Sequence, residues 1–256
     1  MGLGIMIPFF GTMLGASFVF FLRDQIKPWV NTVLAGFASG VMMAAAVWSL
    51  LIPAIEASEG MGKLSFIPAA VGFALGIIFL LCMDKVVPHI HIESGKQEGV
   101  KAKLKKTTML VFAVTLHNLP EGMAVGIVFA SLGTEMSGIT IAGAMALAFG
   151  IALQNVPEGA IISLPLKGEG MSRTKAFLYA TLSGIVEPLG ALITILLTAY
   201  ITPILPYTLA FAAGAMVYVI IEELVPESAT SGHSDKGTIG FMLGFIIMMI
   251  LDVALG

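Results

Sequence analysis

Charged residues are scarce in this chain. Only 11% of its 256 residues are Asp, Glu, Lys or Arg, against 57% hydrophobic ones, and the mean hydropathy is +0.98. A domain of that size with so little polar surface is excluded as a water-exposed globule. Cysteine is nearly missing too. The single Cys82 allows no internal disulfide and no thiolate cluster for a soft metal, so redox chemistry lacks its usual ligands. Basic residues are absent ahead of the first apolar run, where a cleaved signal peptide would carry them, so that run is expected to stay as a membrane span. No long soluble segment is present either, which argues against a sensor with an output domain.

What remains is apolar sequence in membrane-length pieces. Eight stretches qualify, at 3–22, 31–55, 64–86, 108–132, 138–164, 176–200, 205–225 and 238–255. They are near-continuously apolar, without the in–out alternation of a barrel strand, and too long for one. The expected fold is therefore an all-α integral membrane protein with eight transmembrane helices, forming a single transmembrane domain over 1–256. Of its basic residues, Arg23, Lys27, Lys85, Lys96, Lys101, Lys103, Lys105, Lys106, Lys167, Arg173, Lys175 and Lys236 fall in the connections after spans one, three, five and seven. The opposite side holds only Lys63. Positive-inside bias then puts the basic side in the cytoplasm and both termini outside it, with the cell (inner) membrane as the expected location.

One soluble insertion stands out, the cytoplasmic loop 87–107. Its first half offers His89, His91 and Glu93 as weak metal donors, although an exposed His-x-His also arises without metal. Its lysines suit contact with anionic membrane lipid. Nucleic acid is not an expected partner.

The chemistry sits inside the spans. His117-Asn118-Leu119-Pro120-Glu121-Gly122 lies in span four, and the near-copy Gln154-Asn155-Val156-Pro157-Glu158-Gly159 lies in span five. Carboxylates in hydrocarbon are costly unless they serve something. On a helix, residues four apart share a face, so His117 converges with Glu121 and Gln154 with Glu158, while Asn118 and Asn155 sit beside that face. Pro120 and Pro157 cannot donate to the carbonyls of Leu116 and Leu153, and kinks are expected there. Glu187-Pro188 in span six adds a third carboxylate beside a third proline. Imidazole with carboxylates suits Zn²⁺, Fe²⁺ and Mn²⁺. A single intramembrane Glu can also be read as a protonated packing residue; three beside prolines, two of them in duplicate motifs, tell strongly against that reading.

Consecutive spans run in opposite directions, so the shared Asn-x-Pro-Glu-Gly reads as an inverted pair. Pro53 with Glu56 in span two and Pro226-Glu227 in span seven add similar punctuation at opposite faces. Inverted repeats follow as an expectation, spans one to three against six to eight with four and five central, an arrangement used by alternating-access carriers. Hydrolysis finds no support. His-Glu-x-x-His is missing, because Asn118 follows His117, and no intramembrane serine has an evident base. Met42, Ser49 and Glu56 recur every seven residues on span two, which fits either a core stripe or a path to the outside. Small-residue spacing in spans one to three would permit a homodimer and equally suits internal packing.

His-Asn-x-Pro-Glu-Gly followed by a second Pro-Glu-Gly in the next span resembles the signature of the ZIP (Zrt/Irt-like) divalent metal transporters, and the Gln-Asn-x-Pro-Glu-Gly form is most similar to the GufA-type bacterial branch. The resemblance covers the whole chain. It implies uptake of zinc, and of iron, manganese or cadmium, toward the cytoplasm through a two-metal site, the metal being cargo and no prosthetic group being needed. By the same resemblance His117, Glu121, Gln154 and Glu158 form the first site, and Asn118, Asn155 and Glu187 form the second with Glu121 and Glu158 bridging. Position 155 is acidic in some relatives, so Asn155 removes a charge. The resemblance also favours Met42, Ser49 and Glu56 as an access path and implies an inner release site at Asp84, His89, His91, Glu222 and Glu223.

Overall fold

The computed structural model describes residues 2–22, 27–90, 97–100, 106–132, 138–229 and 235–255. Twelve α-helices run through them: α1 (Ile7–Phe21), α2 (Pro28–Ala45), α3 (Ile52–Glu56), α4 (Phe66–Val86), α5 (Lys106–Ala130), α6 (Ile141–Gly168), α7 (Arg173–Ser183), α8 (Val186–Leu196), α9 (Thr198–Ile201), α10 (Leu205–Val219), α11 (Val225–Ala229) and α12 (Lys236–Leu255). Several join end to end into longer rods. Seven of the resulting rods are long and apolar enough to cross a membrane: Gly4–Phe21, Pro28–Glu56, Phe66–Val86, Ile141–Gly168, Arg173–Leu196, Thr198–Ala229 and Lys236–Leu255. The chain is a multi-pass helical membrane protein. Helix α5 has the length, at 25 residues, but its run of His117, Asn118, Pro120 and Glu121 dilutes the apolar sequence.

The prolines shape these rods in three ways. Within α5 and α6 the helix continues past Pro120 and Pro157, leaving the carbonyls of Leu116 and Leu153 without their usual amide partner. In span six the rod breaks. Pro188 has no N–H for the Gly184 carbonyl, the Glu187 amide takes that carbonyl at 3.1 Å instead, and α7 ends one turn before α8 begins. In spans two and seven the helix widens into a π turn, Ala46–Leu51 ahead of Pro53 and Ile220–Leu224 ahead of Pro226.

Packing follows the glycines. The most extensive helix contacts are α2 with α12, α1 with α6, α4 with α10 and α5 with α8. Glycine pairs four residues apart line each crossing: Gly36 and Gly40 meet the Gly237 and Phe241 carbonyls, Gly72 and Gly76 those of Tyr207 and Phe211, and Gly11 and Gly15 those of Ala152 and Val156. The small-residue stripes of spans one to three are thus spent inside the chain. The interior is filled by Met42, Leu50, Leu147, Ile151, Leu209 and Met216, while Leu75, Ile78, Leu192, Leu196, Ile246 and Ile250 project outward. Large apolar side chains on the outer surface suit lipid and would be a liability in water.

Loop 87–107 is not wholly irregular. His89–Ile90 pairs antiparallel with Gln97–Glu98, a two-stranded exception to the all-α expectation, and α5 already starts at Lys106. His89 is buried, which corrects its reading as an exposed donor, because its ring lies against the end of α4. His91 lies outside the described residues.

Candidate metal centre

The duplicate motifs face each other across α5 and α6, with α8 and α1 closing the sides. Every side chain in the group Asn118, Glu121, Gln154, Asn155, Glu158 and Glu187 is buried. Gln154 Nε2 donates to Glu121 Oε1 at 2.5 Å and to Asn155 Oδ1 at 2.5 Å. Asn155 Nδ2 donates to Glu187 Oε2 at 3.0 Å. Thr12, on α1, donates its hydroxyl to Glu187 Oε1 at 2.9 Å. Asn118 Nδ2 reaches the Ser183 carbonyl at 3.3 Å. Glu158 stands within electrostatic reach of Glu121, His117 and Glu227.

This network leaves a characteristic remainder. Asn118 Oδ1, Glu121 Oε2, Gln154 Oε1 and Glu158 Oε2 are buried without a hydrogen-bond partner. Each such oxygen costs about 1–3 kcal/mol if it stays unmatched. All four are acceptors, two of them from carboxylates, and all belong to two turns of two neighbouring helices. A cation satisfies acceptors of that kind and a hydrogen-bond donor shared among four does not. Among the described residues no three His, Cys, Asp or Glu side chains form a ready cluster, so the set depends on amide oxygens as well.

His117 is paired outside this remainder, although its ring stays within electrostatic reach of Glu158. Its Nε2 stands 3.2 Å from Glu223 Oε1, in a pocket lined by Leu80, Asp84, Leu116, Tyr218 and Val219. Asp84 joins the same region, accepting from Tyr218 Oη at 3.3 Å and pairing with His89 Nε2 at 3.0 Å. His89 Nδ1 lies 2.9 Å from the Val87 carbonyl. Burial works against a charged His89 ring, but the Asp84 hydrogen bond, the Val87 carbonyl and the charges of Asp84 and Glu223 prevail and raise its pKa above the ordinary 6.5. So Asp84, His89 and Glu223 do come together, and His117 joins them; Glu222, next to Glu223, is exposed.

On the opposite side of the centre, Ser49 and Glu56 line a cavity of about 180 Å³ with Pro53, Thr140 and Asp252. Ser49 donates to Asp252 Oδ1 at 2.6 Å. Met42 does not open onto that cavity and is fully buried in the core. Thr12, Tyr218 and Asp252 were not anticipated from sequence. Asp252 had a signal, a lone carboxylate in an apolar run. Thr12 had none, since a hydroxyl in a membrane helix is normally satisfied by a carbonyl of its own helix.

Buried carboxylates and amide oxygens, gathered at mid-helix in a multi-pass helical protein with a polar pocket at either end, fit a membrane transporter of small cations. A model of the ZIP zinc transporter family matches residues 93–252. The chain is 36% identical to the human zinc transporter ZIP11 over 96% of its length and 94% of that protein's. It is 37% identical to the zinc transporter ZIPB of Bordetella bronchiseptica, covering 97% of this chain and 79% of that one. It is 39% identical to the zinc transporter GufA of Myxococcus xanthus, covering 82% and 81%. The chain belongs to the ZIP zinc transporter family.

Proposed function

We propose that the chain carries Zn²⁺, or a related first-row divalent cation, across the cell's inner membrane into the cytoplasm. Divalent metal transport goes with membership of the family and with the names of its zinc-transporting relatives. The observation that carries the choice of site is the group of four unpartnered buried oxygens on Asn118, Glu121, Gln154 and Glu158. An ion entering past Glu56, Asp252 and Ser49 exchanges its water for these oxygens. His117 supplies the nitrogen when its ring leaves Glu223. Returning to Glu223, it moves toward Asp84 and His89, where the ion is released. No covalent step is needed. Retention must be loose enough for release, which favours micromolar over picomolar affinity.

The topology we attach to this mechanism has α5 as the eighth crossing, both termini outside and inverted repeats of spans one to three against six to eight. Its support is the matched packing, since α2 on α12 and α4 on α10 exchange under such a repeat, as do α1 on α6 and α8 on α5. The π turns ahead of Pro53 and Pro226 exchange as well. Rocking of one set of helices against the other would expose the centre to either side.

The test is zinc uptake into vesicles loaded with a zinc-responsive dye. Glu121→Ala and Glu158→Ala abolish uptake while the protein remains folded; undiminished uptake in either variant removes the site assignment.

A further inference from the structure

The donors on α5, α6 and α8 differ in how much of each is already committed. Glu187 is buried with both oxygens engaged, Oε1 by the Thr12 hydroxyl at 2.9 Å and Oε2 by the Asn155 amide at 3.0 Å. Asn155 is committed too. Its Oδ1 accepts from Gln154, and its nitrogen also lies 3.3 Å from the Pro8 carbonyl. Four oxygens, on Asn118, Glu121, Gln154 and Glu158, are open. The site thus divides into an open half and a closed half.

The closed half is held in place by its neighbours. A Cβ at Gly184 would stand 3.0 Å from the Thr12 side chain, and one at Gly159 would stand 2.2 Å from the Thr12 carbonyl. Thr12 therefore sits in a seat made by close helix contact, and its hydroxyl has little room to swing off Glu187. An amide nitrogen at position 155 points hydrogens at Glu187, and those hydrogens repel a cation. Charge agrees with geometry. Two divalent ions need four negative charges for neutrality in a low-dielectric site, and Glu121, Glu158 and Glu187 supply three. One ion is matched by Glu121 and Glu158, and the charge of Glu187 is met by two hydrogen-bond donors.

We infer, on the site proposed above, that this transporter carries one divalent ion at a time, the Thr12–Glu187–Asn155 triad closing the place of a second ion, with Asn155 as the residue that decides the number. Glu187 is then a positioning residue. It holds Asn155, and through Asn155 it orients Gln154 toward Glu121.

Equilibrium binding of Cd²⁺ to the detergent-solubilised full chain tests this, with bound metal counted by mass spectrometry. Loop groups contribute ions of their own, so the readout is the number lost when Glu121→Ala and Glu158→Ala are introduced together. That number is one in the wild-type background and two in an Asn155→Asp background. Two ions lost from the wild type, or one from Asn155→Asp, overturns the inference while leaving the α5–α6 site standing. No ion lost from the wild type removes that site and the inference with it. Should Asn155→Asp not fold, the wild-type count decides alone: one ion lost with Glu121 and Glu158 upholds the inference, and two overturn it.

Discussion

His117 Nε2 lies 3.2 Å from Glu223 Oε1, although Glu121 is the carboxylate four residues away on its own helix face. The only imidazole of the duplicate motifs is therefore held by the inner pocket. Under the proposed mechanism that ring alternates between Glu223 and the ion and links binding to release. Glu223→Gln weakens the inner hold, so zinc binds more tightly and leaves more slowly: both KM and maximal uptake rate fall. His117→Ala raises KM by about tenfold to a hundredfold, the scale on which disturbing a metal-binding histidine acts. Initial uptake rates across a zinc titration separate the two variants. An unchanged maximal rate in Glu223→Gln would show that the pair has no part in release.

At the other end of the path, Ser49 holds Asp252 Oδ1 at 2.6 Å, and Asp252 Oδ2 is buried without a partner at the wall of the cavity shared with Glu56. A carboxylate so placed attracts a cation before the main site is reached. Asp252→Asn is expected to raise KM about tenfold, equivalent to roughly 1.4 kcal/mol, with little effect on the maximal rate. Because attraction at a solvent-filled cavity is screened, the difference from wild type should shrink as ionic strength rises. A fall in maximal rate with KM unaltered would place Asp252 in the moving parts instead.

The His89 clasp gives a pH dependence of definite sign. Its folded-state pKa is raised, so the Asp84 pairing stabilises the loop fully below about pH 6.5, the unfolded value, and that contribution disappears as pH climbs through the elevated folded value. Strand His89–Ile90 leans on α5. Protection of its amides, taken relative to the intrinsic exchange rate at each pH, should therefore be greatest in mild acid and fall above neutrality. Asp84→Asn removes most of that slope. Protection that stays flat between about pH 5.5 and 8.5 in the wild type would exclude the clasp as its source.

Much of this was legible from residue types alone, for a physical reason. Glu121, Glu158 and Glu187 interrupt apolar sequence, and a carboxylate in hydrocarbon announces itself because its cost is so high. The helices were legible for the converse reason, since their length and continuity of apolar residues admit little else. Side-chain direction was not legible. Spacing sets His117 and Glu121 on one face, but which partner the ring takes depends on Glu223, which is distant in sequence and arrives on a π turn of span seven. Thr12 was invisible because its role depends on where α1 crosses α6 and α7. The glycine stripes were ambiguous because close approach to a second copy and to another helix of the same chain require the same small residues.

Gly122 shows how closely the centre depends on that approach. A Cβ there would lie 2.3 Å from the Glu187 carbonyl oxygen and 2.6 Å from the Glu187 Cα, both backbone atoms that cannot turn aside. Gly122→Ala must push α5 and α8 apart, at a cost of about 1–3 kcal/mol by analogy with overpacked cores. The same displacement carries Glu187 away from Thr12 and Asn155 and loosens Gln154, so uptake falls together with thermal stability. Gly60→Ala is the control, because nothing lies within 4 Å of its Cβ. Melting of the solubilised protein and vesicle uptake, measured on both variants, should show Gly60→Ala indistinguishable from wild type and Gly122→Ala impaired in both. A Gly122→Ala protein that melts and transports like wild type would mean that α5 and α8 do not meet as closely as the carbonyl contact requires.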